Sequence, residues 1–303
     1  MDTVLRSRSK TVVIGSDKPF CIIGERINPT GRKVFAQELR DGDLSTVELD
    51  ALAQVAAGAD MLDVNAGIPM VDEAELLAQM LRKVQETVDV PICIDSSVIE
   101  ALEAGLSAYE GRALVNSVTA EDERLEAVLP LVAKYDAAVI GLTNDETGIP
   151  TTAEERLRHA RKIVSVAQDF GIKPEDVVID PLAMPVGADT ELAMATFAAM
   201  RLIRDELGVN MCVGASNVSF GMPDRHTLNA AFLPMAMAAG LTSAIMSTAD
   251  VCVRSARASD LLLGHDEWGA SWIAAHRARL AAAAAEGAAA AEGAAAAEGA
   301  AAS

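Results

Sequence analysis

Short apolar runs alternate with longer amphipathic segments along most of the chain, and this alternation predicts strands followed by helices. Runs such as Phe20-Cys21-Ile22-Ile23 are apolar on both faces, which is typical of a parallel sheet covered by helices. Strands are predicted at residues 19–27, 60–65, 91–95, 112–117, 137–143, 176–180, 210–216 and 242–246. The clearest helices are predicted at residues 47–57, 72–87, 121–135, 152–170, 190–207, 226–239 and 249–262.

This order of elements predicts an α/β fold, a TIM (β/α)8 barrel that forms a single domain over residues 19–280. The alternative is a doubly wound sheet, which usually has about five to seven strands and often a glycine-rich first turn. The first predicted strand ends as Gly24-Glu25-Arg26-Ile27-Asn28 and lacks the GxGxxG spacing of such a turn. Residues 1–18 precede the predicted barrel as an N-terminal extension, and the sequence assigns them no role.

The last segment, residues 281–303, has a different composition, with repeats of alanine interrupted by Glu-Gly pairs. Each glycine costs about 1 kcal/mol relative to alanine in a helix interior. The segment also has no large apolar side chain to bury. We therefore expect a flexible, weakly helical, low-complexity tail outside the barrel.

The overall composition narrows the class of protein. Half of the residues are hydrophobic (51%) but only 3% are aromatic, so the core must be mainly aliphatic. The net charge of −19 argues against nucleic-acid binding, which needs a basic face, and an anionic ligand would need a locally basic or neutral mouth. No apolar run is long enough to span a bilayer or to act as a signal peptide, so a cytoplasmic protein is expected.

The four cysteines, Cys21, Cys93, Cys212 and Cys252, lie far apart in the sequence. The chain has no CxxC pair and no cluster of histidine with cysteine, which structural zinc sites usually show. We therefore expect buried structural thiols and no zinc site.

Polar residues stand where the predicted strands end, and in TIM barrels the chemistry is located at the carboxyl ends of the strands. The candidates are Glu25, Asn28, Asp63, Asn65, Asp95, Asn116, Asp180, Ser216 and Asn217. Asp and Asn also cap helices and form turns, so any one of them has an ordinary structural explanation. Four of them, Asp95, Asn116, Asp180 and Asn217, each close an apolar run and so predict a polar mouth on the barrel.

Carboxylates next to carboxamides suit a neutral heterocycle whose edge offers N–H donors beside a carbonyl acceptor, such as the edge of a pterin. A phosphate site would need a glycine-rich run at the last strands, which is absent. None of the four histidines lies at a predicted strand end, so a histidine-based metal site is not expected. A magnesium site built from the carboxylates stays open as an alternative.

These strand ends resemble the pterin-binding superfamily, and in particular the methyltetrahydrofolate–corrinoid protein methyltransferases and the folate module of cobalamin-dependent methionine synthase. The first strand is similar to their GERxN opening, whereas dihydropteroate synthase opens differently. The matching motifs are Gly24-Glu25-Arg26-Ile27-Asn28, Asp63-Val64-Asn65, Asp95-Ser96, Asn116-Ser117, Gly141-Leu142-Thr143, Thr147-Gly148-Ile149-Pro150, Ile179-Asp180-Pro181-Leu182 and Gly214-Ala215-Ser216-Asn217-Val218-Ser219. They keep the order of the family across residues 20–265.

The resemblance implies a role for each candidate. Asp95, Asn116 and Asp180 would hold the pterin edge, and Asn217 would reach N5, the nitrogen that carries the methyl group. Asp63 and Asn65 would line the same mouth as supporting groups. The remaining substrate-binding candidates are Glu25, Asn28 and Ser216.

The resemblance also implies the substrates and partners. The substrate is tetrahydrofolate or 5-methyltetrahydrofolate, and the corrinoid (cobalamin) arrives on a separate, transiently docked protein, because the chain has no DxHxxG motif. No metal bound by this chain is expected, since cobalt in its Co(I) state is the nucleophile. A homodimer is expected, with residues 230–241 as one candidate for its packing, although a barrel helix that faces the strands is the favoured interpretation of that segment.

Two alternatives remain open at this point. A dihydropteroate synthase-like enzyme would need basic residues for a diphosphate, and the late strands offer only scattered arginines such as Arg225 and Arg254. A non-catalytic pterin-binding subunit would not need polar residues at every strand end.

Overall fold

The computed structural model describes residues 1–280 and confirms the predicted barrel. Its elements in chain order are β1 (Asp2–Arg6), β2 (Thr11–Gly15), β3 (Cys21–Ile27), α1 (Lys33–Arg40), α2 (Ser45–Ala56), β4 (Met61–Asn65), α3 (Glu73–Thr87), β5 (Ile92–Asp95), α4 (Ile99–Ala108), β6 (Leu114–Thr119), α5 (Asp122–Lys134), β7 (Ala138–Leu142), α6 (Ala153–Asp169), β8 (Val177–Asp180), α7 (Leu192–Leu207), β9 (Cys212–Gly214), α8 (Arg225–Ala239), β10 (Ser243–Met246) and α9 (Asp250–Leu263). The tail expected at residues 281–303 lies outside the described residues.

The strands β3 to β10 form one parallel sheet in which β3 to β8 pair in chain order, and β10 pairs with both β3 and β9. A parallel bridge between Ile179 and Met211 joins β8 to β9. This bridge closes the sheet into a barrel, so all the strand ends that carry the polar candidates meet on one face.

The core has two layers because successive strand residues point to opposite sides of the sheet. Ile23, Met61 and Cys93 belong to a cluster inside the barrel, whereas Ile22 and Leu62 belong to the larger cluster between the strands and the helices. Aliphatic side chains dominate both clusters, as the low aromatic content predicts.

The N-terminal extension forms an antiparallel hairpin that packs on the amino-terminal end of the barrel. Leu5 and Ile14, one from each hairpin strand, are fully buried in the inner cluster. The Asn210 side chain donates to the hydroxyl of Thr3 at 2.9 Å and to the carbonyl of Ile14 at 2.8 Å. The hairpin therefore closes the end of the barrel opposite the polar mouth, a role that the sequence did not suggest.

Several local features confirm or correct the predicted elements. The Thr152 side chain accepts from the backbone N–H of Glu155 and donates to its carboxylate, so Thr152 caps the start of α6 within the helix predicted at residues 152–170. Helices α1 and α4 were not among the clearest predicted helices. The strand predicted at residues 210–216 is shorter, and Ala215–Ser219 form a 3-10 turn instead. Ser216 and Asn217 therefore lie on a turn at the mouth rather than on a strand.

Residues 230–241 belong mostly to α8, in which Phe232, Leu233, Ala236 and Met237 are buried within the barrel protein itself. This supports the interpretation of the segment as a barrel helix that faces the strands. Among residues 1–280, no helix combines the length and the apolar character that a membrane crossing requires.

Candidate functional site

A polar cavity of about 580 Å³ lies at the carboxyl ends of the strands. Eight of the nine predicted site residues line it: Glu25, Asn28, Asp63, Asp95, Asn116, Asp180, Ser216 and Asn217. The ninth, Asn65, lies just outside the lining, and its amide donates to the Asp95 carboxylate at 2.9 Å. The fold therefore collects residues from positions 25 to 217 of the chain around one space.

One wall of the cavity is a row of carboxylates and amides from adjacent strands. The strand register places Asn65, Asp95 and Asn116 side by side across β4, β5 and β6. The Asn116 amide donates to the Asp63 carboxylate at 3.2 Å. Asp180, at the end of β8, lines the same cavity and accepts the backbone N–H of Leu182 at 2.7 Å. These groups offer several oxygen acceptors to the N–H groups of a flat ring edge.

Burial controls the protonation of this wall. It raises the pKa of Asp95 to about 6 and that of Asp180 to about 7. The pKa of Asp63 is raised well above its usual value, first by burial and then by the negative charge of Asp95. Removal from water disfavours the charged form of a carboxyl group. An N–H donor of a bound ligand would favour that charged form and so lower the raised pKa values.

The opposite wall is formed by β3, the first strand of the barrel, and by the turn after β9. The Ser216 hydroxyl donates to the Glu25 carboxylate at 2.7 Å, and the Asn229 amide donates to that hydroxyl at 3.2 Å. Burial raises the pKa of Glu25, which the hydrogen bond from Ser216 partly opposes. Asn217 is exposed at the cavity surface. Its amide is therefore free to contact a ligand.

Three arginines at the rim, Arg26, Arg32 and Arg225, line the cavity although they are not among the predicted site residues. Arg32 pairs with Asp50 at 2.5 Å, and Arg225 donates to the Ser216 carbonyl at 2.7 Å. They place three positive charges beside the cavity carboxylates, and Asp50 lies within salt-bridge distance of both Arg26 and Arg32. Arg225 is the first residue of α8. The one sequence signal that could have indicated Arg225 as a site residue is its position six residues after the Gly214–Ser219 motif.

Within residues 1–280 there is no group of three or more His, Cys, Asp or Glu side chains arranged to hold a metal ion. The four cysteines are free and buried, which confirms their expected structural role. Burial raises their pKa, to about 12 for Cys212 and about 11 for Cys252, so they are protonated thiols at neutral pH.

Comparison with known proteins adds three findings. Residues 24–247 match the profile of a family described as pterin binding enzymes. The chain is 33% identical over 249 residues to the methylcorrinoid:tetrahydrofolate methyltransferase of Eubacterium limosum, a match that covers 81% of this chain and 92% of that protein. It is 32% identical over 258 residues to the methionine synthase of Mycobacterium leprae, a match that covers 80% of this chain but only 21% of that longer protein.

The fold is similar to that of dihydropteroate synthase from Xanthomonas albilineans, solved in complex with 7,8-dihydropteroate. The TM-score is 0.66 at 20% sequence identity, and the match covers 82% of this chain and 95% of that structure. At this identity the likeness concerns the fold alone.

Proposed function

This chain belongs to the pterin-binding enzyme family, and we propose that it transfers a methyl group between N5 of tetrahydrofolate and the cobalt of a corrinoid that a separate protein carries. The observation that carries the proposal is the single cavity in which Asp95, Asn116 and Asp180 face the same space as Asn217. The similarity to the methylcorrinoid:tetrahydrofolate methyltransferase of Eubacterium limosum supports the same reaction class.

The acceptor wall suits the donor edge of a pterin. The 2-amino group and N3–H of a pterin are adjacent donors, and one carboxylate such as that of Asp180 can accept from both. The Asn116 amide can donate to one ring atom and accept from another. Rim arginines would meet the negatively charged glutamate tail of a folate. The pterin would thus be oriented by the buried wall, with its tail toward the solvent.

The chemistry places one demand on the protein. When the methyl group leaves N5, the electron pair of the broken C–N bond stays on nitrogen, and a proton must neutralise it. A carboxamide is not an acid at neutral pH, but the Asn217 amide can hydrogen-bond to N5 and favour the transition state in which N5 gains its proton. The cobalt acts as the nucleophile as Co(I) and becomes methyl-Co(III), so no nucleophilic side chain is required. The same groups serve the reverse direction.

The corrinoid must approach N5 from the solvent side of the mouth, because the pterin would occupy the cavity between this opening and the barrel interior. We infer that the mouth stays open and that the corrinoid protein docks transiently. The expected homodimer stays a prediction, and any dimer must leave both mouths free.

The test combines binding with turnover. Difference spectroscopy with 5-methyltetrahydrofolate should give a saturable change, and adding cob(I)alamin should yield methylcobalamin, followed by its absorbance. Binding without methyl transfer to cob(I)alamin or to a corrinoid protein would favour a non-catalytic pterin-binding subunit. Condensation of a pterin diphosphate with p-aminobenzoate would favour a dihydropteroate synthase-like enzyme instead.

A further inference from the structure

Behind the cavity wall lies a completely buried arginine, Arg156 of α6, which does not line the cavity. Its Nε donates to the Pro150 carbonyl at 3.1 Å. Its Nη1 lies 2.8 Å from the Pro181 carbonyl, 3.0 Å from the Leu182 carbonyl and 2.9 Å from the Thr196 hydroxyl. One guanidinium therefore ties together the loop before α6, the loop after β8 and helix α7.

The loop that Arg156 holds is the one that orients Asp180. The N–H of Leu182 donates to the Asp180 carboxylate, and Leu182 has a φ of +64°, in the left-handed region that a leucine rarely adopts. Such a conformation is unfavourable for a residue with a Cβ atom and persists only where its surroundings impose it. Here Arg156 and Thr196 both bond to the Leu182 carbonyl, so they hold the residue whose N–H meets Asp180.

No carboxylate contacts the guanidinium of Arg156 in the described part of the chain. Its hydrogen-bond partners are neutral oxygens, and its Nη2 is buried without a partner. Burying a guanidinium that has no contacting carboxylate costs several kcal/mol, whereas a neutral amide could make some of the same hydrogen bonds. The nearby acid that this charge affects is Asp180, whose pKa it lowers against the effect of burial.

We propose that Arg156 is a positioning residue for ligand recognition, which fixes the loop that orients Asp180 and, through its positive charge, favours the ionised form of that carboxylate, the form that accepts from two N–H donors. The proposal rests on the proposed pterin site. The other titratable groups near Asp180 are the Cys212 thiol on β9, which is protonated at neutral pH, and the charged side chains that line the same cavity, namely Glu25, Asp63, Asp95, Arg26, Arg32 and Arg225. Thr143, which follows β7 and donates to the Asp180 carbonyl, and Thr196 of α7 carry no charge.

The experiment separates the charge from the hydrogen bonds. Arg156→Lys keeps the charge, Arg156→Gln keeps donors without charge, and the dissociation constant of 5-methyltetrahydrofolate is measured by calorimetry from pH 5.5 to 8.5. In the wild type, affinity should fall as pH drops through the titration of Asp180. In Arg156→Gln the midpoint should move up by about one pH unit, with about fivefold weaker binding at pH 7, because the ionised fraction of Asp180 would fall from about one half to about one tenth. Arg156→Lys should stay close to the wild-type midpoint.

The Asp180→Asn background identifies the group through which Arg156 acts. There, adding Arg156→Gln should leave the pH dependence unchanged, because the remaining titration belongs to the ligand and the other carboxyls. A wild-type midpoint in Arg156→Gln, or an equal shift with and without Asp180, would overturn the proposal. If Arg156→Gln does not fold, Thr196→Val tests the same loop, and unaltered binding in that variant would also overturn it.

A ligand-free measurement keeps this inference apart from the proposed function. The Asp180 carboxyl can be titrated by carbon-13 NMR in the wild type and in both Arg156 variants. A raised midpoint in Arg156→Gln is expected whether or not folate binds. If the wild type fails to bind 5-methyltetrahydrofolate, the proposed function is wrong. If the titration midpoint of Asp180 is the same in the wild type and in Arg156→Gln, only this inference is wrong.

Discussion

Polar side chains in the cavity are held by other polar side chains. Asn116 is bonded to Asp63, Asn65 to Asp95 and Ser216 to Glu25. Each hydrogen bond fixes a donor or an acceptor before a ligand binds. This lowers the entropic cost of ordering these side chains on binding. Asn217 differs because it is exposed at the cavity surface, and this suits a group that acts on the reacting atom.

Replacing Asn217 with alanine should lower the rate of methyl transfer by about two to three orders of magnitude, since donors to developing charge typically contribute a few kcal/mol in the transition state. Folate affinity should fall much less, because the pterin edge is held elsewhere. Stopped-flow formation of methylcobalamin measures the rate, and calorimetry measures the affinity. Near-wild-type turnover in Asn217→Ala would show that N5 is assisted by another group.

The acceptor wall gives the complementary result. Asp95→Ala, Asn116→Ala and Asp180→Ala should each weaken 5-methyltetrahydrofolate binding by about 1–3 kcal/mol, because each leaves a buried ring atom without its partner. Circular dichroism should show an intact barrel in all three variants. Unchanged dissociation constants in all three would dispose of the pterin site in this cavity.

Asp180 also links stability to pH. Its folded pKa of about 7 lies above its ordinary value of 3.8, so its stabilising contribution is fully present near pH 4 and is lost as pH rises through 7. The free energy of unfolding of the ligand-free wild type, relative to Asp180→Asn, should therefore decrease from pH 5 to pH 8. Urea unfolding at several pH values measures it. A difference that stays constant over this range would mean that the carboxyl is ionised throughout.

At the scale of elements, the hairpin of β1 and β2 takes part in the core although the resemblance does not include it. Leu5 is fully buried in the inner cluster, and Arg112 donates to the Val4 carbonyl at 2.7 Å. An open barrel end would expose apolar side chains from several strands to water. We propose that residues 1–18 stabilise the barrel from the end opposite the site.

This role can be measured with a pair of leucine variants. Leu5→Ala should lower the free energy of unfolding by about 2–5 kcal/mol, as large-to-small changes in buried cores do. The matched control is Leu49→Ala on α2, a leucine that is 65% exposed, for which a change within about 0.5 kcal/mol is expected. Equal effects of the two substitutions would mean that the hairpin contributes little to the core.

The elements that the sequence predicts well are those whose own pattern determines them. The strands β5 and β8 are apolar runs that end in an aspartate, and α6 is capped by Thr152, a residue type that favours the N-cap position. The hairpin is not predictable in this way, because its short strands owe their burial to contacts with Asn210 and Arg112, far along the chain. The role of Arg156 could not be predicted for the same reason, because no neighbouring residue in the sequence indicates that its hydrogen-bond partners lie after β8.

At the scale of the whole molecule, charge is distributed unevenly. The chain carries a net charge of −19, yet three arginines line the mouth of its polar cavity. Long-range repulsion between the protein and a polyanionic ligand is therefore opposed locally, where the ligand tail would lie. Arg26 of β3, Arg32 before α1 and Arg225 at the start of α8 contribute this positive charge.

Prolonged treatment with a chelator should leave methyl transfer intact when free cob(I)alamin or methylcobalamin replaces the corrinoid protein. In the proposed reaction the cobalt would supply the nucleophile and Asn217 the polar assistance, so no Lewis acid bound by this chain would be needed. The cavity carboxylates of Asp63 and Asp95 are bonded to amides, and residues 1–280 hold no cluster arranged for a metal ion. The measurement compares initial rates before and after EDTA, with the metal content of each sample determined by mass spectrometry. Activity that EDTA abolishes and that zinc or magnesium restores would overturn this mechanism. It would then make the acidic wall of the cavity the first place to look for the metal.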